Sequence, residues 1–113
     1  LFRVESGEPL KRALALIQQH DVSQLPVFRG ANVVGTLEDS DVLKTALADP
    51  AALERPLDSI MGPALPVVGA DESADVVTKL LATRASAVLV QRDGAVTGIL
   101  TRFDMLQFIA GGE

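Results

Sequence analysis

Residues 32–43, Asn32-Val33-Val34-Gly35-Thr36-Leu37-Glu38-Asp39-Ser40-Asp41-Val42-Leu43, return as residues 95–106, Ala95-Val96-Thr97-Gly98-Ile99-Leu100-Thr101-Arg102-Phe103-Asp104-Met105-Leu106. Identities fall at Val33/Val96, Gly35/Gly98, Leu37/Leu100, Asp41/Asp104 and Leu43/Leu106. Sliding the whole chain by the same 63 positions without a gap adds Val4/Val67, Ser23/Ser86, Val27/Val90 and Arg29/Arg92. Apolar character is kept at Phe2/Leu65, Leu14/Val77, Ile17/Leu80 and Leu25/Val88. A fixed internal offset marks a duplicated supersecondary unit, so the chain reads as two similar halves.

In the first half, Pro9-Leu10 opens a stretch with apolar Leu10, Ala13, Leu14 and Ile17 against polar Lys11, Arg12, Gln18 and Gln19, which predicts an amphipathic helix to about His20. Leu25-Pro26-Val27-Phe28 and Val33-Val34-Gly35-Thr36-Leu37 read as strands of a hairpin turned by Arg29-Gly30-Ala31-Asn32. Glu38-Asp39-Ser40-Asp41 starts a second helix, its acids facing the positive end of the helix dipole. The second half repeats this order: a helix from Glu72 to about Arg84, strands Ala87–Val90 and Ala95–Leu100 around the turn Arg92-Asp93-Gly94, and a helix from Thr101 to about Ile109. Short strands are expected at Phe2-Arg3-Val4 and Pro66-Val67-Val68. Asp49-Pro50 to Pro56 reads as a polar link, followed by a helical turn over Leu57-Asp58-Ser59-Ile60-Met61 that Gly62-Pro63 ends. The expected organisation is an α+β fold with a first repeat over residues 1–50 and a linker plus second repeat over 51–113. Halves of roughly 50 residues bury too little surface alone, so they are expected to pack sheet against sheet.

Composition narrows the function. The chain has 113 residues and a formal net charge of −5, which argues against binding nucleic acid or an anionic membrane through bulk charge. Its apolar runs are far shorter than the roughly 20 residues of a membrane helix. Cysteine is absent, which removes disulfides, thiolate nucleophiles and zinc–sulfur sites and is compatible with the cytoplasm. His20 is the one histidine, and Tyr and Trp are absent, so no catalytic residues and no metal site are assigned and an enzyme activity in this chain is not expected. The opening Leu1-Phe2-Arg3-Val4 lacks an initiator Met and a signal-peptide pattern, and reads as a piece of something longer.

Three sequence features carry a resemblance to a family. One is the strand entry Val22-Ser23-Gln24-Leu25-Pro26-Val27, echoed by Ala85-Ser86-Ala87-Val88-Leu89-Val90; another is Gly98-Ile99-Leu100-Thr101-Arg102-Phe103-Asp104-Met105; the third is Ile60-Met61 ahead of the second repeat. Across its whole length the chain resembles a tandem pair of CBS domains, a Bateman module, in which two repeats are related by a pseudo-twofold axis and each packs a small sheet on helices. Asp21-Val22-Ser23-Gln24-Leu25-Pro26-Val27 and the ending Thr101–Ile109 most resemble the C-terminal regulatory module of cystathionine β-synthase-type, pyridoxal-phosphate-dependent enzymes.

The resemblance implies a regulatory module that binds an adenosyl ligand in clefts between the repeats, forms a homodimer of pairs, and controls an attached N-terminal catalytic domain in the cytoplasm. In the better site it implies Asp104 on the ribose diol with Thr101 beside it, Ile99 flanking the base, and Glu8, Ala13, Val22, Ser23 and Leu25 opposite. A carboxylate has acceptor capacity for both ribose hydroxyls, which suits Asp104 to that role. The equivalent weaker site would use Asp41 and Glu38, with Asp71, Val76, Ala85, Ser86 and Val88 opposite. There Glu38 stands where the family pattern has Thr, and its charge would repel a phosphate by on the order of a kcal/mol. Neither motif places a cation directly before its Asp, since Phe103 and Ser40 stand there, so S-adenosylmethionine ranks above AMP and AMP above ATP.

Each of these residues also has an ordinary structural role. Thr101-Arg102-Phe103-Asp104 is a capping-box-like pattern, and capping is compatible with ligand binding. Glu38 and Asp41 suit an acidic first turn, His20 the negative end of its helix, and Ser23 and Ser86 the entry to a strand. Phe103, Met105, Phe108 and Ile109 are expected in the core or at a dimer contact. The competing function is a ligand-free dimerisation or autoinhibitory pair.

Overall fold

The computed structural model describes residues 1–111 and divides them into two units, one from Phe2 to Ala64 and one comprising Leu1 with the chain from Leu65 onward. In the first unit the elements are β1 (Val4–Glu5), α1 (Leu10–His20), β2 (Gln24–Arg29), β3 (Asn32–Glu38) and α2 (Asp39–Ala48), then 3-10 turns at Pro50–Glu54 and Leu57–Ser59. Its sheet has the order β1-β2-β3, with β1 parallel and β3 antiparallel to β2. The second unit repeats the plan with β4 (Val67–Gly69), α3 (Ala74–Thr83), β5 (Ala87–Arg92), β6 (Ala95–Thr101) and α4 (Arg102–Ala110) in a β4-β5-β6 sheet. The α+β architecture expected from periodicity is therefore present in both units.

Each unit buries the helical stripe that its sequence marks. Leu10, Ala13 and Leu16 of α1 pack with Val4, Leu25, Val27, Leu37, Val42 and Leu57. Val77 and Leu81 of α3 pack with Val68 and Val88. Complete burial of a valine or leucine side chain contributes about 1.5–3 kcal/mol, and an alanine methyl much less. The hairpins break register at matching places, between Val27 and Phe28 and between Val90 and Gln91. Gly30 (φ 63°) turns the first hairpin, and Asp93 (φ 52°) with Gly94 (φ 81°) turns the second, as the Asp-Gly pair predicts.

The repeat carries one inserted residue that the ungapped comparison misses. Val4 pairs with Val27 and Val68 with Val90, and the turn bonds Glu8 N–H to Glu5 C=O and Glu72 N–H to Gly69 C=O correspond, so the offset is 64 ahead of the first helices. Beyond them it is 63, since Asp39 N–H donates to Ser23 C=O and Arg102 N–H to Ser86 C=O. The difference lies in the helices, with 11 residues in α1 and 10 in α3. The true equivalents are thus Val4/Val68, Ala13/Val77 and Ile17/Leu81, not Val4/Val67, Leu14/Val77 and Ile17/Leu80. Buried Val68, in place of the exposed Val67, fills the slot of Val4.

Three further expectations change. The polar link is built into the first unit: Asp49 caps the Pro50–Glu54 turn by accepting from Ala51 N–H, Leu10 N–H donates to Arg55 C=O, Leu57 N–H donates to Glu8 C=O, and Ala52 and Leu57 are buried. Apolar residues spaced between the charges of this segment allow it. The third helix starts at Ala74 and not Glu72, because Ser73 takes the N-cap and its Oγ accepts from Val76 N–H at 3.3 Å. Of the residues expected in the core or at a dimer contact, Met105 packs against the core, while Phe103, Phe108 and Ile109, at 66%, 56% and 60% exposed, lose the first alternative and keep the second.

Candidate functional site

The β6–α4 junction builds a capping box. Thr101 is the N-cap, and its Oγ1 accepts from Asp104 N–H at 3.2 Å. Asp104 Oδ2 in turn accepts from Thr101 N–H at 2.9 Å and from Thr101 Oγ1 at 3.0 Å. These bonds satisfy helix donors that would otherwise face solvent unpaired, and they hold the carboxylate in one orientation at the positive end of α4. Arg102, between them, turns its guanidinium back so that Nε donates to Leu81 C=O at 2.6 Å. Asp104 also lies at the edge of a cavity of about 180 Å³ lined by Ala74, Leu100, Met105 and Phe108.

The corresponding junction in the first unit is chemically different. Glu38 occupies the N-cap of α2 and makes no side-chain capping bond, while Asp39 Oδ1 accepts from Ser40 N–H at 2.7 Å. Asp39 and Asp41 form the acidic first turn that the sequence suggests.

The remaining candidates fall in several settings. Within each unit a serine carbonyl ties strand entry to motif helix, Ser23 to Asp39 and Ser86 to Arg102. Ile99 is half-buried on β6. Val22 is half-buried against the first core, whereas Ala13 and Leu25 are completely buried within it. Glu8 Oε1 accepts from Glu5 N–H at 2.7 Å and Oε2 lies 3.5 Å from Arg12 Nε. Val88 is a buried core residue, and exposed Val76 is not the equivalent of Ala13 once the inserted residue is counted; Val77 is. By the same shift Asp71 corresponds to Gly7, and Glu72 to Glu8. Asp71 lines a polar cavity of about 320 Å³ with Ala70, Gln91, Arg92 and Asp93. His20, in the last turn of α1, stacks on Phe2 with ring centres 3.8 Å apart.

Sequence reasoning missed a pin in the first unit. The Asp58 carboxylate accepts from Ser6 Oγ–H and, at 2.7 Å, from Gly7 N–H, with Arg29 Nη2 donating to Ser6 Oγ at 3.4 Å. Gly7 takes φ 92°, a conformation that favours glycine. The Ser6 hydroxyl and then the Gly7 amide hold the Asp58 carboxyl below its ordinary value.

Comparison with known proteins matches these elements to one family. The family model described as CBS domain matches residues 1–48 and 57–111. The structure of the CBS domain of a bacterial CNNM/CorC family Mg2+ transporter in complex with ATP is 25% identical, with a TM-score of 0.82 over 98% of this chain and 80% of that one. A CBS domain-containing protein of unknown function from Bacillus anthracis is 20% identical, with a TM-score of 0.84 over 100% and 86%. Staphylococcus aureus OpuCA is 18% identical, with a TM-score of 0.76 over 98% and 94%. These relatives give no support to the finer likeness to cystathionine β-synthase-type enzymes.

Proposed function

The chain belongs to the CBS-domain family, and from that premise we propose that it is the regulatory part of a larger protein, one that binds an adenosyl ligand and alters an attached catalytic or transport region. The observation that carries this reading is the Thr101–Asp104 box. It presents a carboxylate already oriented by its own helix, with Oδ1 free of hydrogen bonds among the described residues. A vicinal diol donates two hydrogen bonds, and an oriented carboxylate accepts both with little further loss of side-chain freedom. On this reading Asp104 takes the ribose and Ile99 lies along the base. The ATP bound by the CNNM/CorC relative is an adenosyl compound of the proposed class. The order S-adenosylmethionine, AMP, ATP is retained for this chain, because the guanidinium of Arg102 is tied back by Nε to Leu81 C=O.

The relatives favour a transporter over a pyridoxal-phosphate enzyme as the attached region, which brings a membrane back into consideration for the whole protein. Among the described residues, no helix is long and apolar enough to cross one. Pairing of two copies through exposed Leu43, Leu47, Phe103, Leu106, Phe108 and Ile109 is part of the same proposal.

Thermal shift and calorimetry with S-adenosylmethionine, AMP and ATP test the reading. The expected result is a raised melting temperature with at least one compound, and binding weakened about tenfold or more by Asp104→Asn, which retains an acceptor for the helix start. No shift with any of the three at millimolar concentration would sink the sensor and leave the dimerisation or autoinhibitory role.

A further inference from the structure

Each unit carries an apolar groove between its two helices. In the first, Leu14 and Ile17 of α1 and Val42 and Leu43 of α2 line a cavity of about 410 Å³, joined by Asp39 and Ser40 from the first turn of α2. In the second, Leu81 of α3 and Met105, Leu106 and Ile109 of α4 line a cavity of about 280 Å³, joined by Arg102 from the first turn of α4. The grooves are equivalent: Ile17 answers to Leu81, and the matching bonds to the Ser23 and Ser86 carbonyls put Asp39 and Arg102 at the same place.

Where the grooves differ, the differences are complementary. Asp39 is an anion where Arg102 is a cation. Asp39 Oδ1 accepts from Ser40 N–H, which leaves Oδ2 without a hydrogen bond among the described residues, and Arg102 commits Nε to Leu81 C=O, which leaves both Nη groups without one. Size is exchanged as well: α4 has exposed Phe103 and Ile109 where α2 has Ser40 and Ala46, so bulk on one face answers the wider groove on the other. Like faces brought together would set acid near acid and base near base, a cost that unlike faces turn into attraction. We propose that two copies of this chain pair unlike face on unlike face, the α1/α2 groove of one copy on the α3/α4 groove of the other, with Asp39 on the partner's Arg102 and the partner's Phe103 in the hollow beside Ser40. A twofold axis repeats the contact, so both grooves of both copies are covered. The inference rests on the pairing of copies put forward above and adds its polarity, which residues 39 and 102 set by repelling the alternative.

The chain has no cysteine, so single engineered thiols report the polarity without background. Leu43→Cys and Leu106→Cys place one at equivalent, exposed positions on the two faces. Treated with a short bis-maleimide, an equimolar mixture of the two full-length variants is expected to give cross-linked dimers containing one of each, and either variant alone little product. In sedimentation, Asp39→Arg or Arg102→Asp alone is expected to weaken dimerisation about tenfold or more, and both changes in one chain to restore it, which a variant that merely misfolds would not do. Cross-linking of each variant to itself, single charge variants that dimerise as tightly as the parent, or a double exchange no tighter than the single ones would each overturn the proposal. A parent chain that stays monomeric at millimolar concentration would overturn it together with the pairing, while adenosyl binding by that monomer would leave the sensor reading standing.

Discussion

Gly35 and Gly98 hold the same place in the two sheets, yet only the first is enclosed by its own chain. Around Gly35 the thioether of Met61 and the carbonyl of Gly62 occupy the space a side chain would need; around Gly98 that space is open. The N-caps that follow differ in the opposite sense, with a closed capping box at Thr101 and none at Glu38. The duplication therefore keeps the frame of each unit while moving the tight contacts: strand edge and linker in one, helix start in the other. Identical residues under an internal repeat share a place without sharing a reason.

The largest expected effect separates the glycines. Gly35→Ala forces Met61 and the Gly62 backbone to move and is expected to cost about 1–3 kcal/mol, as overpacking does. Gly98→Ala is expected to stay within about 0.5 kcal/mol of the parent, since it meets only an ordinary contact. Denaturant melts of the two variants decide this, and equal losses would remove the contrast. A smaller effect, about 1 kcal/mol, is expected at the helix starts. Thr101→Ala should destabilise, whereas Glu38→Thr should stabilise by restoring a Thr-x-x-Asp box above Asp41. If Glu38→Thr melts no higher than the parent, the difference between the two junctions is not one of capping.

The smallest effect concerns acid. Asp58 titrates below its ordinary value in the fold, so it contributes stability above the unfolded value, about 3.9, and that contribution is lost as pH falls through the folded value. The second unit has no described counterpart of this pin. Asp58→Asn is expected to lower stability at neutral pH and flatten its decline below about pH 4. Superimposable acid limbs for parent and variant would count against the pin.

Much of this contrast was legible in the residues, and the remainder has physical reasons for being hidden. Period-2 and period-3.6 patterns with Gly30 and Asp93-Gly94 are local signals, and they placed the hairpins and helices within a few residues. Spacing also marked Thr101 and Asp104 as a pair, because a capping box is a contact between residues three apart. The inserted residue in α1 was hidden because apolar residues sit on both sides of each candidate match, Leu14 and Ala13 alike against Val77. The Asp58 pin joins residues 52 apart in sequence, which no local pattern reports. The residues alone left the apolar face of α4 open between a core and a dimer contact, because Phe103, Phe108 and Ile109 are apolar in either setting, and only their exposure removes the core.

The extra residue of α1 has a consequence for anyone recombining the halves. One added helical residue rotates the exit of a helix by about 100°. A hybrid that joins the front of one half to the back of the other will thus keep the sheet and helix in phase only when its crossover follows the offset of 64 up to Ile17/Leu81 and of 63 beyond the helices, and a symmetric protein made by doubling one half avoids the mismatch altogether.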